Sequence, residues 1–134
     1  MTYFKDLSPY EYSKEKEKSN EINIGWLSSE HEFTTGDIEN HIIKKIDLLV
    51  KNPINLCRGY HYCEFCPPPI YKKVEGQFVG EVVTDSPRGN GEIWIKSNEG
   101  KTYIAPTLIS HYIKEHSYLP PQEFIDAVSK IKET

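Results

Sequence analysis

Between Ile38 and Val50 the apolar residues Ile38, Ile42, Ile43, Ile46, Leu49 and Val50 recur at helical spacing. That period predicts an amphipathic helix over 37–51, with Thr35 or Asp37 able to cap its start and Asn52-Pro53 closing it. His41 and Lys44-Lys45 fall off the stripe and belong to the wet face. Elsewhere the apolar period is two. Ile22-Asn-Ile24-Gly-Trp26 alternates like a short strand, and Phe78 to Val83 and Glu92-Ile-Trp-Ile95 also read as strands. Ser86 to Gly91 is a turn, and Asn98-Glu-Gly100 joins the last strand to Thr102-Tyr-Ile-Ala105 as a hairpin. Two short helices end the chain. Pro106 suits the first position of one, running from about Thr107 to His116, and Pro121 that of another presenting Phe124, Ile125, Val128 and Ile131. The expected fold is α+β: a small antiparallel sheet around the 78–105 strands, packed by one central helix and two short C-terminal helices.

At 134 residues, 37% hydrophobic and 27% charged, the chain has the make-up of one globular domain spanning 1–134. Residues 1–21 end in a mixed-charge run from Lys14 to Glu21 and are expected to form a partly exposed N-terminal segment. No apolar run approaches the ~20 residues that cross a bilayer, so no membrane association is expected. Met1-Thr-Tyr-Phe-Lys-Asp lacks an apolar secretory core, which predicts a cytoplasmic protein. A net charge of −4 speaks against a dedicated nucleic-acid binder and leaves basic proteins open as partners.

Three cysteines, Cys57, Cys63 and Cys66, fall close together. An odd count without an export signal points to metal or redox chemistry, not to a disulfide framework. Cys63-Glu-Phe-Cys66 supplies two thiolates that can grip one zinc ion, which is half of a tetrahedral structural site. The matching half is His111-x4-His116 on the first C-terminal helix. Five residues separate side chains by ~140° on a straight helix, so a frayed or 3₁₀ last turn is expected to bring them together. The predicted cofactor is therefore a structural Zn²⁺ on Cys63, Cys66, His111 and His116. Cys57 and His61 are substitute ligands that spacing alone does not rank. The competing reading makes Cys63 and Cys66 small buried hydrophobes and His116 a core histidine on one face with Leu108 and Tyr112.

Other chemistries fit less well. A thioredoxin-like thiol pair needs a helix N-terminus after its first cysteine, and Pro67-Pro68-Pro69 blocks that helix. His111 to His116 carries one residue too many for an H-x-x-E-H metalloprotease, and no H-x-E precedes the C-x-x-C as in zinc deaminases. Glu64 or Glu115 could serve as general base beside a metal-bound water, but four protein ligands leave that water no position. Arg88-Gly-Asn-Gly91 reads as a turn before it reads as an anion cradle. The aromatics Tyr60, Tyr62, Phe65, Tyr71 and Phe78 among Arg58, Lys72 and Lys73 read as a core cluster with a solvated rim.

The sequence also resembles a family of small bacterial stand-alone proteins, a domain of unknown function. The shared features are Tyr3-Phe-x-Asp-Leu-Ser-Pro-Tyr10, Gly25-Trp26-Leu27 and Arg58-Gly-Tyr-His61 leading to Cys63-Glu-Phe-Cys66-Pro67. Later come Gly89-Asn-Gly-Glu-Ile93, Ala105-Pro-Thr-Leu-Ile109 and His111-Tyr-x3-His116, then Tyr118 and Pro120-Pro121. The resemblance implies a bacterial, cytoplasmic origin and brings no catalytic residue. The functional expectation is a non-enzymatic, zinc-stabilised interaction module of the immunity or regulatory kind, binding another protein. The alternative is a small zinc-dependent hydrolase or nuclease with an open metal position.

Overall fold

The computed structural model describes residues 3–9, 20–54, 61–67, 70–84 and 87–131. Ten elements follow in chain order: β1 (Glu21–Asn23), α1 (Asn40–Val50), β2 (His61–Tyr62), β3 (Ile70–Val74), β4 (Gln77–Thr84), β5 (Arg88–Gly89), β6 (Glu92–Lys96), β7 (Thr102–Pro106), α2 (Ile109–His116) and α3 (Gln122–Ser129). The class is α+β, with three helices around a small sheet.

That sheet is mixed, in the order β1-β7-β6, where an antiparallel one was expected. β6 and β7 form the predicted hairpin, in register from Glu92↔Pro106 to Lys96↔Thr102. β1 lies on the far side of β7 and runs parallel to it, pairing Ile22 with Tyr103. No hairpin turn links β1 to β7, so nothing local dictates their relative direction. The strand predicted at 78–83 exists as β4 but stays out of this sheet. It folds back on β3 in a hairpin whose turn, Glu75-Gly76, has positive φ at both residues, the hand that suits two-residue hairpins. β2 and β5 make a third, two-stranded ladder, so Arg88-Gly89 is strand and not the expected turn.

Helix starts also differ from expectation. α1 begins at Asn40 without a side-chain cap, because Thr35 pairs with Tyr118 in an isolated bridge and the chain is extended at Glu39. Pro106 ends β7 opposite Glu92, and α2 starts only at Ile109. Pro121 caps α3 from outside.

The core forms where the apolar face of each element meets β7, whose residues are all buried. α1 contributes Ile42 and Ile46, and α3 contributes Phe124, Ala127 and Val128. Phe124 meets Tyr103 edge to face at 6.0 Å. β1 leads into Ile24, whose amide donates to the Ile104 carbonyl at 2.9 Å, while the Trp26 indole reaches the same carbonyl at 3.0 Å. Gly25 between them has φ +76, and a Cβ there would sit 3.0 Å from Ile109 Cδ1 at the start of α2. Only glycine lets the chain turn that close to the helix.

Several anchors hold α2 in place. Ser110 Oγ donates to one oxygen of Asp47 on α1, and Lys114 Nζ reaches the other at 2.7 Å. Past the helix, Ser117 adopts the left-handed conformation (φ 55) and its carbonyl accepts from the Gly36 amide at 2.9 Å. The fully buried Tyr118 donates its hydroxyl to Asp6 Oδ2 at 2.7 Å, and the Gly25 amide donates to Asp6 Oδ1 at 2.9 Å. The N-terminal residues 3–9 are thereby tied both to β1 and to the end of α2.

Burial pushes the Asp6 carboxyl above its ordinary 3.8, outweighing the hydrogen bonds from Gly25 and Tyr118 that favour the carboxylate. A raised folded value means that the native state holds the proton more tightly than the unfolded chain. The Asp6 contribution to stability is thus full below 3.8 and is lost as pH rises through the folded value. Asp6→Asn removes this titration. The urea midpoint of the wild type, both proteins being metal-free, should fall relative to that of Asp6→Asn as pH is raised from about 3 to about 7. A difference that grows with pH would show that the two hydrogen bonds outweigh burial.

Candidate metal centre

Residues 61–67 form a short loop held from several sides. The Cys63 amide donates to the Pro87 carbonyl at 2.9 Å, extending the β2–β5 ladder by one bond. Gly89 in β5 passes so close to Thr107 that a Cβ there would lie 2.2 Å from Thr107 Oγ1, which draws this ladder against the approach to α2. The turn itself closes with Cys66 N–H on the Cys63 carbonyl at 3.4 Å. At its tip Glu64 Oε1 accepts from both the amide and the hydroxyl of Ser29, at 3.1 and 3.0 Å. Phe65 inserts between Phe33, Tyr112 and His116, with ring centroids 5.2, 5.9 and 5.3 Å away.

These contacts place the two sulfurs against α2, whose third and last residues are His111 and His116. Cys63 Sγ lies 3.3 Å from His116 Nε2, and Cys66 Sγ lies 3.2 Å from His111 Nε2 and 3.4 Å from His116 Nε2. The two imidazole nitrogens are 3.2 Å apart. All four atoms fall within 4.8 Å of one another. A tetrahedral zinc ion with Zn–S ≈ 2.3 Å and Zn–N ≈ 2.0–2.1 Å sets ligand separations of roughly 3.3 Å between nitrogens and roughly 3.5 Å between nitrogen and sulfur. The observed separations match that frame, so the four side chains are compatible with a single metal site. Two thiols and two imidazoles also carry too few protons to make all four contacts hydrogen bonds at once.

The expected 3₁₀ turn is not needed. α2 stays α-helical through His116, and His116 is its last residue. The two imidazoles meet edge to face at 78°.

Burial governs the titration of the cluster. The Cys63 thiol is buried and pushed up to about 11, with the neighbouring Cys66 sulfur adding to the rise. The backbone amides of Phe65 and Cys66 donate to Cys63 Sγ and offset part of it. Burial, then the neighbouring His116, lowers His111 and favours its neutral form. A neutral imidazole is the form that ligates, whereas the thiol must still give up its proton to a metal. The knuckle is one-sided. Cys63 receives main-chain donors, whereas the residues that follow Cys66 are Pro67, Pro68 and Pro69, none with an N–H.

Of the sequence-predicted ligands, Cys63, Cys66, His111 and His116 come together. Cys57 lies outside the described residues, as does the side chain of His61, whose backbone opens β2. Glu64 is engaged by Ser29, and Glu115 is exposed on the outer side of α2. Phe65, read in the sequence only as one of an aromatic cluster, wedges the loop against the helix, and Tyr112, read only as sharing a face with His116, is fully buried beside the cluster. The signal for Tyr112 was its place four residues before His116, on the same helical face.

The protein is thus an α+β chain with a Cys2His2 cluster joining a loop to a helix. It belongs to the family defined by a domain of unknown function, DUF7919, whose model matches residues 2–129. No curated protein and no solved structure matches it. Among the described residues, no helix is long and apolar enough to cross a membrane.

In the metal-free protein at neutral pH, a thiol near 11 in place of the ordinary 9.0 holds about a hundredfold less thiolate. Cys63 should therefore be alkylated by iodoacetamide at least about a hundredfold more slowly than an unhindered thiol, and more slowly than the half-buried Cys66. Peptide mapping of a chelator-treated native sample checks this. Equal labelling of Cys63 and Cys66 would contradict the burial argument.

Proposed function

We propose that this chain is a non-enzymatic module of the bacterial cytoplasm, stabilised by one zinc ion on Cys63, Cys66, His111 and His116, that works by binding another protein. The observation that carries the zinc reading is the set of four ligand-atom separations of 3.2–3.4 Å between a loop and a helix 45 residues further along the chain. Two sulfur and two nitrogen donors in this arrangement suit zinc, and a complete set of four protein ligands is the mark of a structural site. The hydrolytic alternative finds less support. A fourth protein ligand takes the position that a reactive water needs, and Glu64, one candidate base, is held by Ser29.

Support for a protein partner comes from the surface. A 380 Å³ groove between the approach to α1 and helix α3 has Ile38, Ile42, Leu119 and Ile125 along it, with Asp37, Glu39 and Asp126 among its polar residues. Acidic side chains along this groove, on a chain of net charge −4, suit a basic partner such as a cationic toxin or regulator.

Protein purified without a histidine tag should contain one equivalent of zinc by elemental analysis. Because the ligands come from segments 45 residues apart, unfolding forfeits the whole coordination sphere. At free zinc a thousandfold above Kd this linkage adds about 4 kcal/mol. Chelation, Cys63→Ser or His116→Ala should each lower Tm by more than about 10 °C. Wild-type melting that ignores the chelator, despite confirmed loss of metal, would refute the structural role. For the partner, association should slow steeply as salt is raised, and Asp37→Asn with Glu39→Gln and Asp126→Asn should slow it mainly at low salt.

A further inference from the structure

The two cysteines of the cluster are not equivalent. Cys63 is almost fully enclosed, at 3% exposure, whereas Cys66 is only half-buried and keeps part of its surface in solvent. Their main chains differ as well. Cys63 is followed by Glu64 and Phe65, which carry amide hydrogens, and Cys66 by Pro67, Pro68 and Pro69, which carry none. Amide donors from the residues after a cysteine draw charge from a metal-bound thiolate and temper its nucleophilicity. Cys66 is thus the more accessible sulfur, and the triple proline withholds that shielding from it.

The loop also brings the two sulfurs together. They lie no more than 4.8 Å apart. Cys63 and Cys66 occupy the ends of one four-residue turn, closed by the Cys66 amide on the Cys63 carbonyl at 3.4 Å, so their α-carbons are within about 7 Å. A disulfide spans α-carbons about 4.4–6.8 Å apart, so rotation of the two side chains can form the bond with the backbone in place. The contacts that hold this backbone pass through neither sulfur. They are the Cys63 amide on Pro87, Glu64 on Ser29, and Phe65 against Phe33 and Tyr112. The prolines deny the pair the helix N-terminus that stabilises a thioredoxin-like thiolate. Metal ligation supplies the deprotonated sulfurs by another route.

We propose that Cys66 is an oxidation site for hydrogen peroxide, and that its oxidation joins it to Cys63 in a disulfide and releases the metal. This inference rests on the metal reading above and adds to it a means of undoing the site. In the first step the Cys66 thiolate attacks one peroxide oxygen. The O–O bond breaks, hydroxide leaves and Cys66 becomes a sulfenic acid. In the second the Cys63 thiolate attacks the Cys66 sulfur, the S–O bond breaks and a second hydroxide leaves as the S–S bond forms. Each sulfur has given up one electron, the peroxide has taken two, and both hydroxides take protons from water. A disulfide offers no thiolate, so His111 and His116 are left as two ligands where a structural zinc needs four.

The test titrates the zinc-loaded full chain with hydrogen peroxide and reads released metal with a chromophoric chelator. One equivalent of peroxide should release one equivalent of zinc. Trypsin cuts after Arg58 and Lys72, so the peptide of residues 59–72 carries Cys63 and Cys66 without Cys57. By mass spectrometry that peptide should become two hydrogen atoms lighter. Dimedone present during the reaction should label Cys66 and spare Cys63, and a thiol reductant with added zinc should restore the full metal content. Zinc retained under a large excess of peroxide, dimedone on Cys63, or release without a disulfide in this peptide would overturn this inference and leave the zinc site standing. A wild-type chain that takes up no zinc would overturn both.

Discussion

Helix α2 is the constraint on which the other parts depend. It has only eight residues, and a helix that short has little stability of its own in water. It persists because Asp47 on α1 grips Ser110 and Lys114, while Ile109, Tyr112 and Ile113 fill the core. Residues 34–36 then hold the chain just beyond His116, with Thr34 and Gly36 exchanging main-chain bonds with Leu119 and Ser117. His111 and His116 are aimed by this framework and not by the cysteines they face.

The loop that carries Cys63 and Cys66 is held by contacts to other segments and to α2 itself. Its backbone is tied to Pro87, its tip to Ser29 and its aromatic residue to Phe33 and Tyr112. The two halves meet with their ligand atoms 3.2–3.4 Å apart, at the separations of a coordination sphere. A preorganised site spends little of its binding energy on ordering side chains, so more of that energy adds to the stability of the fold. Burial pulls the two donor types in opposite directions, keeping His111 in the neutral form that ligates while holding on to the Cys63 proton that a metal would have to displace.

Periodicity, spacing and residue chemistry made much of this legible. The stripe from Ile42 to Val50 announced α1, and Glu92 to Ala105 announced the β6–β7 hairpin, because both depend on contacts within a few residues. The donor types at Cys63, Cys66, His111 and His116 were equally plain. The β3–β4 hairpin escaped notice because Glu75-Gly76 is a weaker turn signal than Asn-Gly, and Lys72-Lys73 interrupts the alternation that marks a strand. The onset of α2 was misread because Pro106 looked like a helix start, when pairing with Glu92 held it in β7.

Short-range patterns set the class of the fold, most of its local elements and the set of atoms able to ligate a metal. The direction of β1 came only with the assembled core, since a strand joined to β7 through most of the chain has no turn to orient it. The core also decided that a five-residue histidine spacing works on a regular helix, because His116 occupies the last position, where the left-handed Ser117 frees the helix end. And it decided the place of Tyr112, an apolar-face residue by its spacing, whose unpartnered hydroxyl beside the cluster emerges only when residues 45 or more positions apart are packed together. Interactions within a turn or two are written in the local pattern, whereas burial and the pairing of distant donors belong to the assembled core.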